Sequence, residues 1–330
     1  MNDSGISRTA FRRHLPAMRP VAFQTVRDDG FTLIELLVVM ATVAILATLL
    51  LPALAGTKPN SQSFQCVENE RQLVLAWQMY AEDNSDLLPP NDYPYLTAYA
   101  TAGAAAQAKL KNWVVGTMAQ ALDAADYPAR KGISELLDPN TLLSPYITNK
   151  LVYHCPADNW INPLIRGFNA RSYAMNSAVG TTWNSATAMG GGDPRPVGSP
   201  VLGGWLPGNA YNTSQTAWLT YGKMSSFSRP GPANTFVIMD ENPQSISAGS
   251  VAVAAVATAG STYLIDTPSG NHNGAAGISF ADGHVLVHKW QDARTYTLGT
   301  TVTKGGGIQT HQTPDDPDCF YLAPITSAPR

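Results

Sequence analysis

The sequence predicts an α+β protein in which one long N-terminal helix precedes a mainly antiparallel β-sheet. Residues 36–57 contain no charged side chain. The next segment repeats apolar residues every three to four positions, which is the period of an amphipathic helix. Beyond residue 86, short β-rich runs alternate with turn residues, as they do in antiparallel sheets.

The composition excludes several classes of protein. Charged residues make up 14% of the chain and the formal net charge is −3, whereas a nucleic-acid surface needs a basic stripe that neutralises phosphates. We therefore expect no nucleic-acid partner. The three cysteines show no Cys-x-x-Cys spacing, so neither a zinc knuckle nor a haem-attachment motif is present.

The apolar segment 36–57 has the length of a membrane-spanning helix. As a helix it would extend about 33 Å, against about 30 Å for the hydrocarbon core of a bilayer. It exceeds the apolar region of a signal peptide, which is about 7–15 residues long. We therefore expect the segment to be retained as a single membrane span.

The charges around this segment predict its orientation. Five arginines precede it, and Lys58 is the one basic residue close behind it. Because basic residues stay on the cytoplasmic side, residues 1–30 should be cytoplasmic. The rest of the chain should be periplasmic or extracellular, with the apolar segment in the inner membrane.

Glu35 is an acidic residue near the start of the apolar run. A carboxylate costs about 2.5–3.5 kcal/mol at the centre of a membrane helix, and less near its end. The side chain could reach the headgroup region. Alternatively, a positive group from a neighbouring subunit could neutralise it.

The residues from Arg27 to Glu35, Arg-Asp-Asp-Gly-Phe-Thr-Leu-Ile-Glu, resemble the cleavage and methylation site of type IV pilins and type II secretion pseudopilins. The resemblance implies cleavage between Gly30 and Phe31, N-methylation of Phe31, and pairing of Glu35 with the amino terminus of an adjacent subunit. It also implies a pilin-like fold. The acidic pair before Gly30 departs from the usual basic residues.

The same resemblance implies a set of partners and a bend in the helix. The partners are a prepilin peptidase and methyltransferase, an inner-membrane assembly platform with its ATPase, lipid before assembly, and other copies of the chain in a filament. Pro52 falls where many members of the family carry a helix-bending proline.

These observations divide the chain into four parts. They are a cleaved leader (1–30), an apolar helix (31–57), the amphipathic half of the same helix (58–85) and an exported β-rich globular domain (86–330). The helix should end near Asp83, before the prolines that follow. Its buried stripe is predicted to contain Phe64, Val67, Arg71, Val74, Trp77 and Tyr80 with Ala81.

The globular domain is predicted to contain seven strands and a short helix over 134–145. The strands are expected at 151–154, 171–175, 217–221, 235–240, 262–265, 277–280 and 284–288. Segments 98–108, 186–210 and 245–260 are rich in Gly, Pro and Ala, and we expect them to be surface loops.

Asp282-Gly283 lies between two of these runs and predicts a tight hairpin with positive φ at both residues. The spacing from His272 to Asp282-Gly283 resembles a His-x9-Asp-Gly signature of a subgroup of pilin-like proteins. We favour a structural histidine bond at this hairpin over a metal site. His284 and His288 would lie about 13 Å apart along one strand, too far apart to share an ion.

Two further sites are possible. Asp315, Asp316 and Asp318 form an oxygen-rich turn that could bind Ca²⁺; no other cofactor is expected. If the domain is exported, Cys66 and Cys155 could form a disulfide. Three unpaired thiols would fit the sequence equally well.

The sequence contains no nucleophile elbow, phosphate loop or metalloprotease motif, so we expect no enzymatic activity. The preferred hypothesis is a subunit of a type IV pilus or type II secretion pseudopilus. The alternative is a permanently anchored extracytoplasmic domain that binds carbohydrate or hydrolyses a substrate. The sequence leaves open a long pilus, a pseudopilus and a DNA-uptake fibre.

Overall fold

The computed structural model describes residues 31–91, 112–114, 141–162, 167–182, 196–208, 217–246, 249–298 and 310–330. The leader, with Gly30, and the predicted loop 98–108 lie outside these residues. The chain divides into two compact units, Met1–Leu54 and Ala55–Arg330. Within the described ranges, no helix combines the length and apolar character that a membrane crossing requires.

Helix α1 spans Leu33–Asp83 and confirms the predicted N-terminal helix. Its backbone is helical on both sides of Pro52, whose side chain lies outside the described residues. Ser85 and Asp86 adopt positive φ values of 57° and 71°, and the Asp86 N–H donates to the Ala81 carbonyl at 2.9 Å. This left-handed turn ends the helix at the predicted position.

The second half of α1 buries one stripe, but not entirely the predicted one. Cys66, Glu70, Leu73, Trp77 and Ala81 are buried, with the spacing of a single helix face. Of the predicted stripe, Val74, Trp77 and Ala81 are buried, whereas Phe64 and Arg71 are exposed. The prediction was wrong at these two positions because the buried face passes through Cys66, Asn69 and Glu70 instead.

The strands found in the described residues are β1 (Tyr173–Asn176), β2 (Phe236–Asp240), β3 (Ser250–Val251), β4 (Tyr263–Leu264), β5 (Ala275–Phe280), β6 (Val285–Lys289) and β7 (His311–Gln312). Five of these strands form the main sheet, in the order β3-β1-β2-β5-β6. Only the β1–β3 pair is parallel among the described pairs of this sheet, which confirms the mainly antiparallel prediction. A separate antiparallel pair joins β4 and β7.

Several predicted elements differ from the structure. The strand predicted at 151–154 is a 3-10 helix, Lys150–Tyr153, because the Asn149 side chain accepts from the Leu151 N–H and caps a helical turn. Residues 217–221 make isolated bridges at Trp218 and Tyr221. Strand β3 lies inside the predicted loop 245–260. A short helix is predicted over 134–145, and the structure describes residues 141–145 of this range. The last two of them belong to a 3-10 helix, Ser144–Tyr146.

The β5–β6 hairpin is confirmed, with a different turn. Gly283 has a φ of +93°, and Asp282 keeps a negative φ. The Gly283 N–H donates to the Phe280 carbonyl at 2.9 Å, and the Phe280 N–H donates to His284 at 3.0 Å. This is a three-residue loop with glycine at its left-handed position.

Two short helices complete the fold, α2 (Arg294–Thr297) and α3 (Pro317–Thr326). The buried Asn176 amide connects α3 to the sheet. Its Nδ2 donates to the carbonyls of Phe236 and Thr326, each at 2.9 Å, and its Oδ1 accepts from the Ala178 N–H at 2.9 Å. One side chain therefore satisfies backbone groups of three segments.

Replacement of Asn176 by alanine should lower the free energy of unfolding by about 2–4 kcal/mol, since each buried polar group left unpaired costs about 1–3 kcal/mol. Urea denaturation followed by tryptophan fluorescence measures the change. Asn159→Ala is the matched control, because Asn159 is exposed and its amide donates only locally, to Ala157. Equal stabilities of the two variants would contradict the bridging role.

Candidate functional site

The first functional segment is the start of α1. Thr32 precedes the helix and Glu35 lies in its first turn. The Thr32 N–H and hydroxyl donate to Glu35 Oε2 at 2.9 and 2.7 Å, and the Glu35 N–H donates to the Thr32 hydroxyl at 3.3 Å. This reciprocal pattern is a capping box, so Glu35 stabilises the helix start of its own chain.

The sequence reasoning missed this second role of Glu35. The spacing Thr32-x-x-Glu35 is the signal that would have found it, because a threonine followed three residues later by glutamate marks a capping box. The predicted pairing of Glu35 with a neighbouring amino terminus stays a prediction. Glu35 is exposed, so its carboxylate is accessible to a second chain.

The apolar residues around Glu35 are also exposed. The large apolar side chains described between Phe31 and Leu46 are 48% to 80% exposed. They lie on all sides of the helix, so this part of α1 lacks the single apolar stripe that a helix packs on a core. A continuous apolar surface of this kind marks a contact with lipid or protein.

A second cluster lies inside the globular unit. It contains Cys66 of α1, Cys155 after the 3-10 helix, Asp240 at the end of β2, and His272 before β5, all buried. One donor atom from each lies within 4.8 Å of the other three. The Cys66 and Cys155 sulfurs are 3.2 Å apart, and His272 Nε2 is 3.3 Å from Cys155 Sγ and 3.5 Å from Asp240 Oδ2.

Neighbouring polar groups orient this cluster. His272 Nδ1 lies 3.0 Å from the Ser63 hydroxyl, which leaves Nε2 directed at the cluster. The Tyr173 hydroxyl lies 3.0 Å from Cys66 Sγ. The Cys155 N–H donates to the Ser172 hydroxyl at 3.1 Å, and that hydroxyl donates to Asp158 at 2.8 Å.

The charges of the cluster interact strongly. Burial raises the pKa of the Cys66 thiol, and a hydrogen bond from Cys66 lowers the pKa of Cys155. Burial alone would lower the pKa of His272, but hydrogen bonds with Asp240 and Cys155 outweigh it and raise this pKa to about 10. The hydrogen bonds within the cluster thus favour the protonated form of His272 when no other cation is bound.

Glu70 lies next to the cluster and is fully buried. Within the described part of the chain, both of its carboxylate oxygens lack a hydrogen-bond partner, as does Asp240 Oδ1. Burial raises the pKa of Glu70, and the charges of Asp240 and Cys155 raise it further. Gly277 of β5 leaves room for this side chain, because a Cβ there would lie 2.1 Å from Glu70 Oε1.

The disulfide between Cys66 and Cys155 stays a prediction, since the structure places the two sulfurs side by side without a bond. Both are free thiols, as is Cys319. The two sulfurs are neighbours, as the sequence hypothesis required, but His272 and Asp240 share their environment. Cys319 lies elsewhere, near the Thr313 hydroxyl and the Tyr263 carbonyl.

The residues of the His-x9-Asp-Gly signature lie in two separate places in the structure. Asp282 Oδ1 accepts from the His284 N–H at 3.1 Å and contacts His284 Nδ1 at 2.6 Å, which holds the hairpin turn at Gly283. His272 does not face this turn and joins the buried cluster. His288 stacks on Tyr321, with ring centroids 3.7 Å apart.

The three aspartates of the predicted calcium turn bind backbone groups and side chains. Asp316 caps α3 by accepting from the Asp318 N–H at 3.0 Å. Asp318 accepts from the backbone of Gln291 and Asp292 and from the Thr295 hydroxyl. Asp315 accepts from the Gly260 N–H at 2.7 Å. Calcium binding here stays a prediction.

Residues 26–51 match the family described as the prokaryotic N-terminal methylation motif. This motif is consistent with that of type IV pilin-like and pseudopilin-like precursors. It covers the predicted processing residues Gly30 and Phe31, as well as Glu35. No curated protein and no solved structure matches the chain.

Gly277→Ala should lower the free energy of unfolding by about 1–3 kcal/mol, because its Cβ overlaps the Glu70 carboxylate and forces repacking. Combining it with Glu70→Ala removes the overlap and should recover most of that loss. A double-mutant cycle by urea denaturation gives the coupling. If the changes in unfolding free energy of the two single variants simply add, the side chains at the two positions do not contact each other.

Proposed function

We propose that the chain is the precursor of a structural subunit of a type IV pilus or type II secretion pseudopilus, and that it has no enzymatic activity. The observation that supports this most strongly is the methylation motif at 26–51, which overlaps the start of a 51-residue helix. In the proposed pathway, the chain enters the inner membrane with its leader in the cytoplasm. A prepilin peptidase then cleaves after Gly30 and Phe31 is methylated.

The exposed apolar surface of α1 is the proposed assembly surface. Lipid covers it before assembly, and the helices of other subunits cover it afterwards. Lipid tails and neighbouring helices are similarly apolar, so this exchange changes the hydrophobic free energy little. The apolar surface therefore makes assembly possible without fixing which subunits lie side by side.

Glu35 is the group proposed to fix that arrangement. Its exposed carboxylate would pair with the new amino terminus at Phe31 of a neighbouring subunit. A charged pair gains strength where water is excluded, and an unpaired carboxylate there is costly. Subunit arrangements that separate the carboxylate from the amine are thus disfavoured. This preference selects one axial register between neighbouring helices.

Mass spectrometry of the protein purified from membranes tests the processing step. We expect the mature chain to begin at Phe31 with one methyl group on its amine. The matched variant Gly30→Ile, which places a large side chain at the cleavage position, should retain the leader. A native chain that keeps Met1 would instead support the permanently anchored domain.

Glu35→Gln should insert normally but assemble about tenfold or more less efficiently, since a charge-assisted bond contributes about 1.5–3 kcal/mol. Glutamine preserves the capping box, so the variant removes charge and keeps the helix start. Sheared filaments counted by electron microscopy measure assembly.

Thr32→Ala is the control for this comparison, because it weakens the cap by about 1 kcal/mol and leaves the carboxylate in place. It should assemble nearly as well as the wild type. If Thr32→Ala and Glu35→Gln lose assembly equally, Glu35 acts through the helix start rather than through its charge.

A further inference from the structure

We propose that Cys66, Cys155, Asp240 and His272 form a binding site for one divalent transition-metal ion of the zinc class. The site lies in the globular unit and is separate from the proposed assembly surface. Its role would be structural, because all four positions around the ion are filled by protein side chains.

The distances between the donor atoms fit one tetrahedral ion. Zinc bonds of about 2.3 Å to sulfur and about 2.0–2.1 Å to nitrogen or oxygen imply donor separations of about 3.3–3.8 Å. In the structure, the separations are 3.2 Å between the two sulfurs, 3.3 Å from Cys155 Sγ to His272 Nε2, 3.5 Å from His272 Nε2 to Asp240 Oδ2, and 3.9 Å from Cys66 Sγ to Asp240 Oδ2. The other two separations are within 4.8 Å. A small shift of each side chain therefore completes the polyhedron.

The surrounding groups orient the donors as they do in protein metal sites. The Ser63 hydroxyl at His272 Nδ1 leaves Nε2 for the ion, and the imidazole would bind in its neutral form. The hydroxyls of Tyr173 and Ser172 position the two cysteines. Hydrogen bonds of this kind fix the ring and thiolate orientations that a metal requires.

A second observation concerns carboxylate oxygens beside the cluster. Among the described residues, both oxygens of the fully buried Glu70 and Oδ1 of Asp240 have no hydrogen-bond partner. A buried carboxylate without a partner is costly unless a cation or a proton neutralises it. Because two thiolates, one carboxylate and a neutral imidazole already exceed the charge of a divalent ion by one, Glu70 would carry a proton beside the occupied site.

The donor types select the class of ion. Thiolate and imidazole ligands suit zinc and similar transition metals, whereas Ca²⁺ and Mg²⁺ take oxygen ligands. The site therefore differs in chemistry from the predicted calcium turn. By joining α1 to the ends of three other segments, the ion would hold the amphipathic half of the helix on the sheet.

The competing state is a Cys66–Cys155 disulfide. Its formation removes two electrons and two protons from the thiols and needs an external oxidant, which an exported protein meets. A disulfide would remove both thiolate ligands at once. The two states are thus mutually exclusive and experimentally distinguishable.

The test uses the full-length chain, purified in detergent under anaerobic conditions, stripped with chelator and titrated with Co²⁺ and then Zn²⁺. We expect one Co²⁺ per chain with the absorption of tetrahedral thiolate coordination, and displacement by Zn²⁺. Elemental analysis of the protein as isolated, before stripping, should show about one metal ion per chain.

Cys155→Ser and His272→Gln should each weaken binding by at least about 100-fold, more than the loss of an outer hydrogen-bond partner. Cys319→Ser is the matched control, since this buried thiol lies outside the cluster, and it should bind like the wild type. If the ligand variants do not fold, the wild type decides the question. Zn²⁺ should raise its melting temperature and protect two of its three thiols from alkylation.

Two results would overturn the proposal. One is an as-isolated protein that lacks metal and carries a Cys66–Cys155 disulfide by peptide mapping, with no Co²⁺ signal after reduction. The other is Co²⁺ binding that Cys155→Ser and His272→Gln leave unchanged, which would place the ion elsewhere. Neither result bears on cleavage at Gly30, so the two proposals fail independently.

Discussion

Helix α1 carries two surfaces with different requirements, and the rest of the structure is organised by that difference. Up to Leu46, its described apolar side chains are exposed on all sides, and the globular core contains none of them. From Cys66 onward, a single stripe is buried within the unit Ala55–Arg330. The described apolar residues of the first half are thus exposed, and the second half is covered by its own chain.

The buried stripe itself changes character along the helix. Leu73, Trp77 and Ala81 form an ordinary apolar contact, and Trp77 packs edge-on against Phe227 with ring centroids 6.0 Å apart. Glu70 and Cys66, one and two turns earlier, bury polar groups, which are costly to bury without partners. Cys66 contacts Cys155 and, where β2 ends, Asp240. The Glu70 carboxylate has no hydrogen-bond partner among the described residues, and burial raises its pKa.

The sequence predicts best what local chemistry decides. The methylation motif, the end of α1 before two prolines, and the Asp282-Gly283 hairpin all depend on residues close together in the chain, and each has a recognisable spacing. The contacts of the buried cluster join residues from 32 positions apart (Asp240 and His272) to 174 positions apart (Cys66 and Asp240). No Cys-x-x-Cys or His-x-x-x-His pattern marks it, because each ligand comes from a separate element.

The same difference between local and long-range contacts explains where the sequence predictions were wrong. The predicted stripe of α1 includes Phe64 because apolar periodicity is the sequence signal for a buried helix face. In the structure, Glu70 and Asn69 occupy the buried face, and a pattern based on hydrophobicity cannot detect polar residues that are buried for their partners. The 3-10 helix at Lys150–Tyr153 has a local cause in the Asn149 cap. The β-favouring residues at 151–154 led instead to a predicted strand.

The capping box limits how Glu35 can act between subunits. Its carboxylate already accepts two hydrogen bonds from Thr32, and it compensates the positive end of the helix dipole. An ionised carboxylate has about four lone-pair sites, so these two bonds leave room for a further donor. In the proposed filament, the amine of a neighbouring subunit would therefore add to the cap rather than replace it. The charge pair would then contribute specificity, because a shifted register would leave the carboxylate in an apolar environment.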